Sequence, residues 1–215
     1  NEEGILMGII TFDDIMNVVE EESTEDFLKF GSLQKPIINP LQTSTFILYK
    51  ERIFWLTALL FVNLFSGAVL ARFESVIQSV VSLVFFLPLI IDSAGNAGSQ
   101  TASLMIRSLA TGDDHLKDWY KLVGKEFIVS FLLGITMAIG VAAIAKFRSP
   151  EIIYIVALTM VSVVMIGSLV GLLLPFIFTK LKLDPATASA PLITSIADIL
   201  GIVIYFSLAT HFLGL

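Results

Sequence analysis

The sequence predicts an all-α membrane protein with five transmembrane helices per subunit, preceded by an acidic cytosolic helix. Three observations predict it. First, 56% of the 215 residues are hydrophobic and only 15% are charged, whereas a soluble domain of this length carries about a quarter charged residues. Second, the apolar residues fall in five long blocks, each near the roughly 20 residues that a span requires. Third, charge is segregated: nine of the 19 acids lie in residues 1–26, which hold no Lys or Arg, and all 13 bases lie beyond them. The net charge of −6 therefore averages two unlike regions.

Composition also excludes chemistries. The chain has no cysteine, so a disulfide framework, a thiolate metal site and cysteine catalysis are ruled out. His115 and His211 are too far apart for a zinc-enzyme site by themselves. No nucleophile–base pair or metalloprotease spacing is present, so the chain does not read as an enzyme. Nothing points to nucleic acid; the expected surroundings are a lipid bilayer and divalent cations.

The start, "NEEGILMGIITFDDIMNVVEEE", has no basic region and no long apolar core, so it is not a signal peptide. It reads as a turn, a short strand over Ile5–Thr11 and then a helix over 12–34, with Thr11 as N-cap and Asp13 and Asp14 in its first turn. Phe12, Ile15, Met16 and Val19 recur at helical spacing. Seven acids crowd residues 13–26 and repel one another. A solvated face explains such a cluster; beside a cation path, Glu21, Glu22, Glu25 and Asp26 are also candidate cytosolic ligands whose ions would relieve the repulsion and shift the helix. "KPIINPLQTST" (35–45) reads as a linker, with Thr43, Ser44 or Thr45 starting the next helix.

The spans are expected at about 53–71, 76–108, 127–145, 152–178 and 187–213. With the N-terminus cytosolic, the inner loops hold Lys29, Lys35, Lys50, Arg52, Arg107, Lys117, Lys121, Lys125, Lys180 and Lys182. The outer loops hold Arg72, Lys146 and Arg148. That asymmetry obeys the positive-inside rule and places the C-terminus outside. The short connections 72–75 and 146–151 imply antiparallel hairpins. Gly134, Gly140, Gly167 and Gly171 have the character of close helix–helix packing positions.

Two spans carry polarity that packing does not need. In the second, Asp92, Asn96, Ser99, Ser103 and Arg107 recur every three or four residues and share one face, with Gln100 beside them. Pro88, Gly95 and Gly98 are expected to loosen that stretch, and irregular backbone at membrane depth belongs beside protein or a water-filled cavity. A polar seam between helices is one reading; a pore wall is the other. In the fifth span, "DPATASAPLITSIADILGIVIYF", Asp198 lies about 16 Å in from Thr187 at 1.5 Å per residue, close to the midplane. Thr194, Gly201 and Tyr205 share its face, and Pro191 is expected to break the amide ladder earlier. An ionised Asp there costs on the order of 3 kcal/mol and marks an ion path. No Lys or Arg lies near the centre of any span to pair with it. Two interrupted helices in one bundle indicate a transport site. Carboxylate, amide, hydroxyl and carbonyl oxygens suit Mg²⁺, Mn²⁺, Ca²⁺ or Co²⁺ better than soft metals. Two copies of Asp198 across a two-fold axis would balance a 2+ charge, and Mg²⁺ sheds water reluctantly, so a hydrated ion is the expected form.

"GNAGSQTASLMIRSLATG" and the fifth-span stretch resemble the two signature segments of the MgtE family of magnesium channels, and "GILMGIITFDDIMNVVEEESTEDFLKFGSL" resembles the end of that family's paired CBS domain with its connecting helix. The resemblance implies a homodimeric, Mg²⁺-selective channel in the cytoplasmic membrane with its pore at the two-fold axis. It assigns 1–22 to a CBS remnant, 23–45 to the connecting helix and linker, and 46–215 to the pore domain. It implies Asp198 as the holder of a hydrated Mg²⁺, with Asn96 and Asp184 at matching motif positions; Asp92 and Thr194 join them as pore metal-site candidates from the faces they share. It places Gly95, Ser99, Gln100, Ala190 and Pro191 along the pore, and implies gating by intracellular Mg²⁺ through the connecting-helix acids. Two departures are visible. Most of the family's soluble region has no counterpart in this chain, so this gating is expected to be lost or weakened. Ala190 stands where many relatives have Gly or Asn, so an ion site at that end is expected to be altered. The alternatives are a Na⁺- or H⁺-coupled carrier, with Asp92 and Asp198 carrying protons, and a membrane-anchored scaffold.

Overall fold

A computed structural model of the chain describes residues 8–33, 37, 39–111 and 119–215. Seven α-helices order the described residues: α1 (Phe12–Phe30), α2 (Thr45–Ala71), α3 (Glu74–Ser79), α4 (Ser82–Thr111), α5 (Trp119–Arg148), α6 (Ile153–Lys180) and α7 (Ala190–Leu213). Five segments are long and apolar enough to cross a membrane: Thr45–Ala71, Ser82–Ala110, Trp119–Arg148, Pro150–Lys180 and Ala190–Leu213. No strand occurs among the described residues. The strand expected over Ile5–Thr11 lies outside them up to residue 7, and its described part is neither helix nor strand; a strand needs a paired neighbour. Lys35, His115 and Lys117 also lie outside the described residues.

Local chemistry accounts for the helix ends. Thr11 caps α1 in a full capping box, with its amide donating to Asp14 Oδ2 at 2.8 Å and the Asp14 amide donating back to Thr11 Oγ1 at 3.4 Å. The Thr11 donors hold the Asp14 carboxyl below its ordinary range. α1 ends at Phe30, four residues before its expected end. Ser32 adopts a left-handed φ of 64°, and the Ser32 and Leu33 amides donate to the Lys29 and Leu28 carbonyls, which is a Schellman close. α6 ends the same way, with Lys182 at φ 60°. Ser44 caps α2, its Oγ accepting from the Ile47 amide.

Two boundaries differ from expectation for physical reasons. The second span breaks at Val80 (φ −138°, ψ 82°), so its expected first turn becomes the separate helix α3. Pro88 does not break α4, which runs through it. The fifth span begins at Ala190, not Thr187; Pro191 sits in its first turn, where a missing N–H costs nothing, and so starts the helix instead of interrupting it. Asp198 is thereby about one turn nearer the N-terminal end of the helix than its midpoint.

The core lies where α4, α6 and α7 meet, with α5 packed on α6. Glycines set the closest approaches. A Cβ on Gly167 or Gly171 would fall on the carbonyl oxygens of Ala94 and Gly98, and a Cβ on Gly134 would lie 2.9 Å from Val161 Cα. α4 and α6 therefore run parallel with backbones nearly touching, and α5 and α6 form the expected hairpin. Gly140 has open space around it and takes no part in packing. Tyr205, expected on the Asp198 face, is fully buried instead, and its hydroxyl donates to the Leu83 carbonyl at 2.9 Å. α2 buries only Leu59 and packs chiefly on α7, so the first two spans do not form the tight hairpin expected from their short connection.

Candidate functional site

The polar residues of α4 do share one face. Asp92, Asn96, Gln100, Ser103 and Arg107 are exposed and Ser99 is half-buried, while Ala94, Ala97, Thr101 and Met105 point into the bundle. Ser99 Oγ is buried without a hydrogen-bond partner.

α7 runs antiparallel along α4. Gly95 is the contact point: a Cβ there would lie 2.9 Å from Thr194 Cγ2. Gly98 similarly receives Ile193. The two glycines thus serve close packing and do not loosen α4. The Thr194 methyl meets Gly95, and the Thr194 hydroxyl donates to the Pro191 carbonyl at 3.0 Å. One turn further along both helices, this register brings Asp92 to the level of Asp198. The two carboxylates are close enough for their charges to interact. Asp198 is half-buried and Asp92 exposed. Asp92 and Asn96 thus lie on the exposed side of α4, with Asp198 half-buried on the neighbouring helix at the level of Asp92. Among the described residues no three His, Cys, Asp or Glu side chains converge as a direct metal cluster.

α1 faces the C-terminal end of α4 on this side. Ser23, Asp26, Phe27 and Phe30 face Ser103, Ile106 and Arg107 across a cleft of about 480 Å³. α1 is pinned there by Lys29, which pairs with Glu25 one turn back and with Asp184 at 2.5 Å each. The hydrogen bond to Asp184, then that to Glu25, raises the Lys29 pKa above its usual value. Asp184 caps the Pro185–Thr187 turn, with Oδ1 accepting from the Ala186 amide at 2.9 Å. Both of its oxygens are thus engaged.

Glu21 and Glu22 are exposed, and Glu25 and Asp26 are partly buried. Burial, and then the negative charge of Asp184, push the Asp26 carboxyl up. A carboxyl whose pKa rises on docking favours docking while protonated; that contribution fades as pH rises through the raised value. Asp26→Asn should therefore tighten α1 against α4 at neutral pH and flatten the pH dependence. Slower proteolysis within α1 would show it; faster proteolysis would contradict it.

Ala190 is half-buried at the first residue of α7. Pro191 is among the residues that line the groove against α2. Two residues of this region were not singled out by sequence reasoning. Lys29 was counted only as an inner-loop charge, and its pairing with a carboxylate 155 positions away leaves no local signal. Glu126 accepts from Thr101 Oγ1 at 2.9 Å and ties α5 to the back of the polar helix; a lone acid at the edge of an apolar run was the available signal.

The family model of MgtE, described as a divalent cation transporter, matches residues 87–208. The chain is 37% identical over 210 residues to the magnesium transporter MgtE of Thermus thermophilus, covering 97% of this chain and 47% of that protein. It is 36% identical over 214 residues to the magnesium transporter MgtE of Bacillus subtilis, covering 99% and 47%. With the Enterococcus faecalis magnesium transporter MgtE the identity is 28% over 212 residues, covering 97% and 46%. The chain spans about half the length of the curated relatives it matches.

Proposed function

We propose, from the premise that this chain belongs to the MgtE family of divalent cation transporters, that it conducts Mg²⁺ passively along the polar face of α4. The family is one of transporters, and the chain has five helices able to cross a membrane. The observation that carries the finer reading is the alignment of Asp198 with Asp92 and Asn96 along a face that one chain leaves open. Closing that path takes a second copy, which supplies the second Asp198 and the charge to balance a 2+ ion. Mg²⁺ passes as a hydrated ion, held through water by Asp198 and guided by Asn96, Thr194 and the neighbouring Ser99 and Gln100. Gly95 sets the approach of the two helices that form the wall. Mn²⁺, Co²⁺ and Ca²⁺ are the competing ions.

Residues 1–22 are read as the end of a CBS unit, 23–45 as the connecting helix and linker, and 46–215 as the pore domain in the cytoplasmic membrane, with the N-terminus inside. α1 over the inner end of the path supports a gating role. Divalent ions at Glu21, Glu22, Glu25 and Asp26 would offset the repulsion that now opposes docking, and Asp184 stands with the pore residues. Ala190 and Pro191 open the fifth span at that end.

The pair Asp92 and Asp198 also gives the proton-coupled alternative a physical basis, since neighbouring carboxylates can share a proton. Reversal potentials in reconstituted bilayers separate the two. Passive conduction requires the reversal potential to follow the Mg²⁺ gradient alone; dependence on the pH or Na⁺ gradient would replace it with a coupled carrier. Absence of any Mg²⁺ movement would favour the scaffold.

A further inference from the structure

A groove of about 570 Å³ lies between α2 and the loop that closes α1, with Pro191 of α7 also lining it. Leu33, Leu48, Ile53, Leu56 and Leu59 make its lining apolar, and Tyr49 and Arg52 also line it. A smaller cavity of about 210 Å³ adjoins it, sharing Ser32, Leu33 and Trp55 and adding Lys29 and Thr187.

Two polar atoms in this region are buried without a hydrogen-bond partner: Trp55 Nε1 and Ser32 Oγ. An indole nitrogen can only donate, and leaving such a donor unmet costs about 1–3 kcal/mol. The site therefore lacks an acceptor. Its charges are also uneven. Lys29 is matched by Glu25 and Asp184, so those acids are already paired. Arg52 is exposed and carries no ion pair among the described residues. An apolar trough, unmet donors and an unmatched guanidinium sit together on a helix long enough to span a bilayer, with Trp and Tyr where membrane interfaces favour them.

We propose that this groove binds an anionic phospholipid. Its phosphodiester oxygens pair with Arg52 and accept from Trp55 Nε1 and Ser32 Oγ, and an acyl chain lies along Ile53, Leu56 and Leu59. The lipid then bridges the end of α1 to the exposed helix α2 and the start of α7. Bound lipid would steady the same end of α1 that Lys29 pins. The proposal rests on α2 lying in the bilayer and is independent of which ion is carried.

The test uses the whole chain carrying Trp119→Phe, which leaves Trp55 as the only tryptophan. It is reconstituted in phosphatidylcholine nanodiscs containing a minor fraction of either brominated phosphatidylglycerol or brominated phosphatidylcholine. Bromine near the headgroup end quenches tryptophan on contact. Phosphatidylglycerol should quench Trp55 more strongly at equal mole fraction, and Arg52→Gln should reduce that preference about fivefold, the weight of one basic side chain near a membrane surface. Arg52 is exposed, so this variant should keep the fold, which an unchanged melting temperature would verify. Equal quenching by the two lipids, or a preference that survives Arg52→Gln, would overturn the proposal. Relief of quenching by inorganic phosphate would overturn it too, in favour of a simple anion site. Because the readout is fluorescence, it stands whether or not Mg²⁺ flux is found.

Discussion

Asp198→Asn is expected to lower Mg²⁺ flux at least about tenfold and to erase preference for divalent over monovalent ions. A carboxylate about 5 Å from a hydrated divalent ion attracts it by roughly 6–7 kcal/mol at an effective dielectric near 20, before desolvation is counted. Losing even a quarter of that exceeds the roughly 1.4 kcal/mol of a tenfold change. Asparagine keeps the shape and the hydrogen-bonding oxygen and removes only the charge. It also removes a like-charged neighbour of Asp92, so the variant should melt no lower than the parent chain. Flux lost with stability kept would assign the effect to the ion path. Unchanged flux and selectivity would remove Asp198 from the mechanism. Asp92→Asn is expected to have the smaller effect, because Asp92 is the more exposed of the two and water screens it better.

The largest structural effect is expected at Gly171. An added Cβ would fall on the Gly98 backbone carbonyl, and a carbonyl in a helix cannot step aside as a side chain can. Relieving the overlap means separating α4 from α6 along the main seam of the bundle. Overpacking of this kind costs about 3 kcal/mol, offset by about 1 kcal/mol of helix propensity gained from glycine to alanine. Gly171→Ala should thus lose about 2 kcal/mol, and Gly171→Val more. Gly140→Ala is the matched control: nothing lies within 4 Å of its Cβ position, so it should be neutral or slightly stabilising. A detergent melting series would read both. Equal melting temperatures for the two alanine variants would show that the α4–α6 approach is slack. Because α4 also carries Asp92 and Asn96, Gly171→Ala should reduce flux without touching an ion-facing side chain.

The five spans were legible because lipid enforces a local rule: each segment must satisfy its own backbone, so length and apolarity suffice to find it. Helix caps were legible for the same reason. Thr11 and Ser44 act within three residues of themselves. The polar face of α4 followed from spacing alone, and the structure leaves that face exposed. Where expectation failed, the deciding partner was usually remote. Gly95 and Gly98 looked like weak points in a helix, but Thr194, Ile193 and Gly167 make them contact points. Tyr205 has the right spacing for the Asp198 face, yet its hydroxyl reaches Leu83, 122 positions away.

By itself, then, the sequence determined how many helices are long and apolar enough to cross a membrane, where the basic residues lie between them, and that a carboxylate sits inside the fifth. Those are properties of single segments in their solvent. Only the tertiary structure decided that Asp198 comes to the level of Asp92, that Lys29 holds α1 to Asp184, and that α2 leans on α7 beside an apolar groove. These depend on which surfaces fit at contact distance. Inside a bilayer, apolarity no longer discriminates one helix face from another, so close packing at glycines and a few polar pairs make the choice.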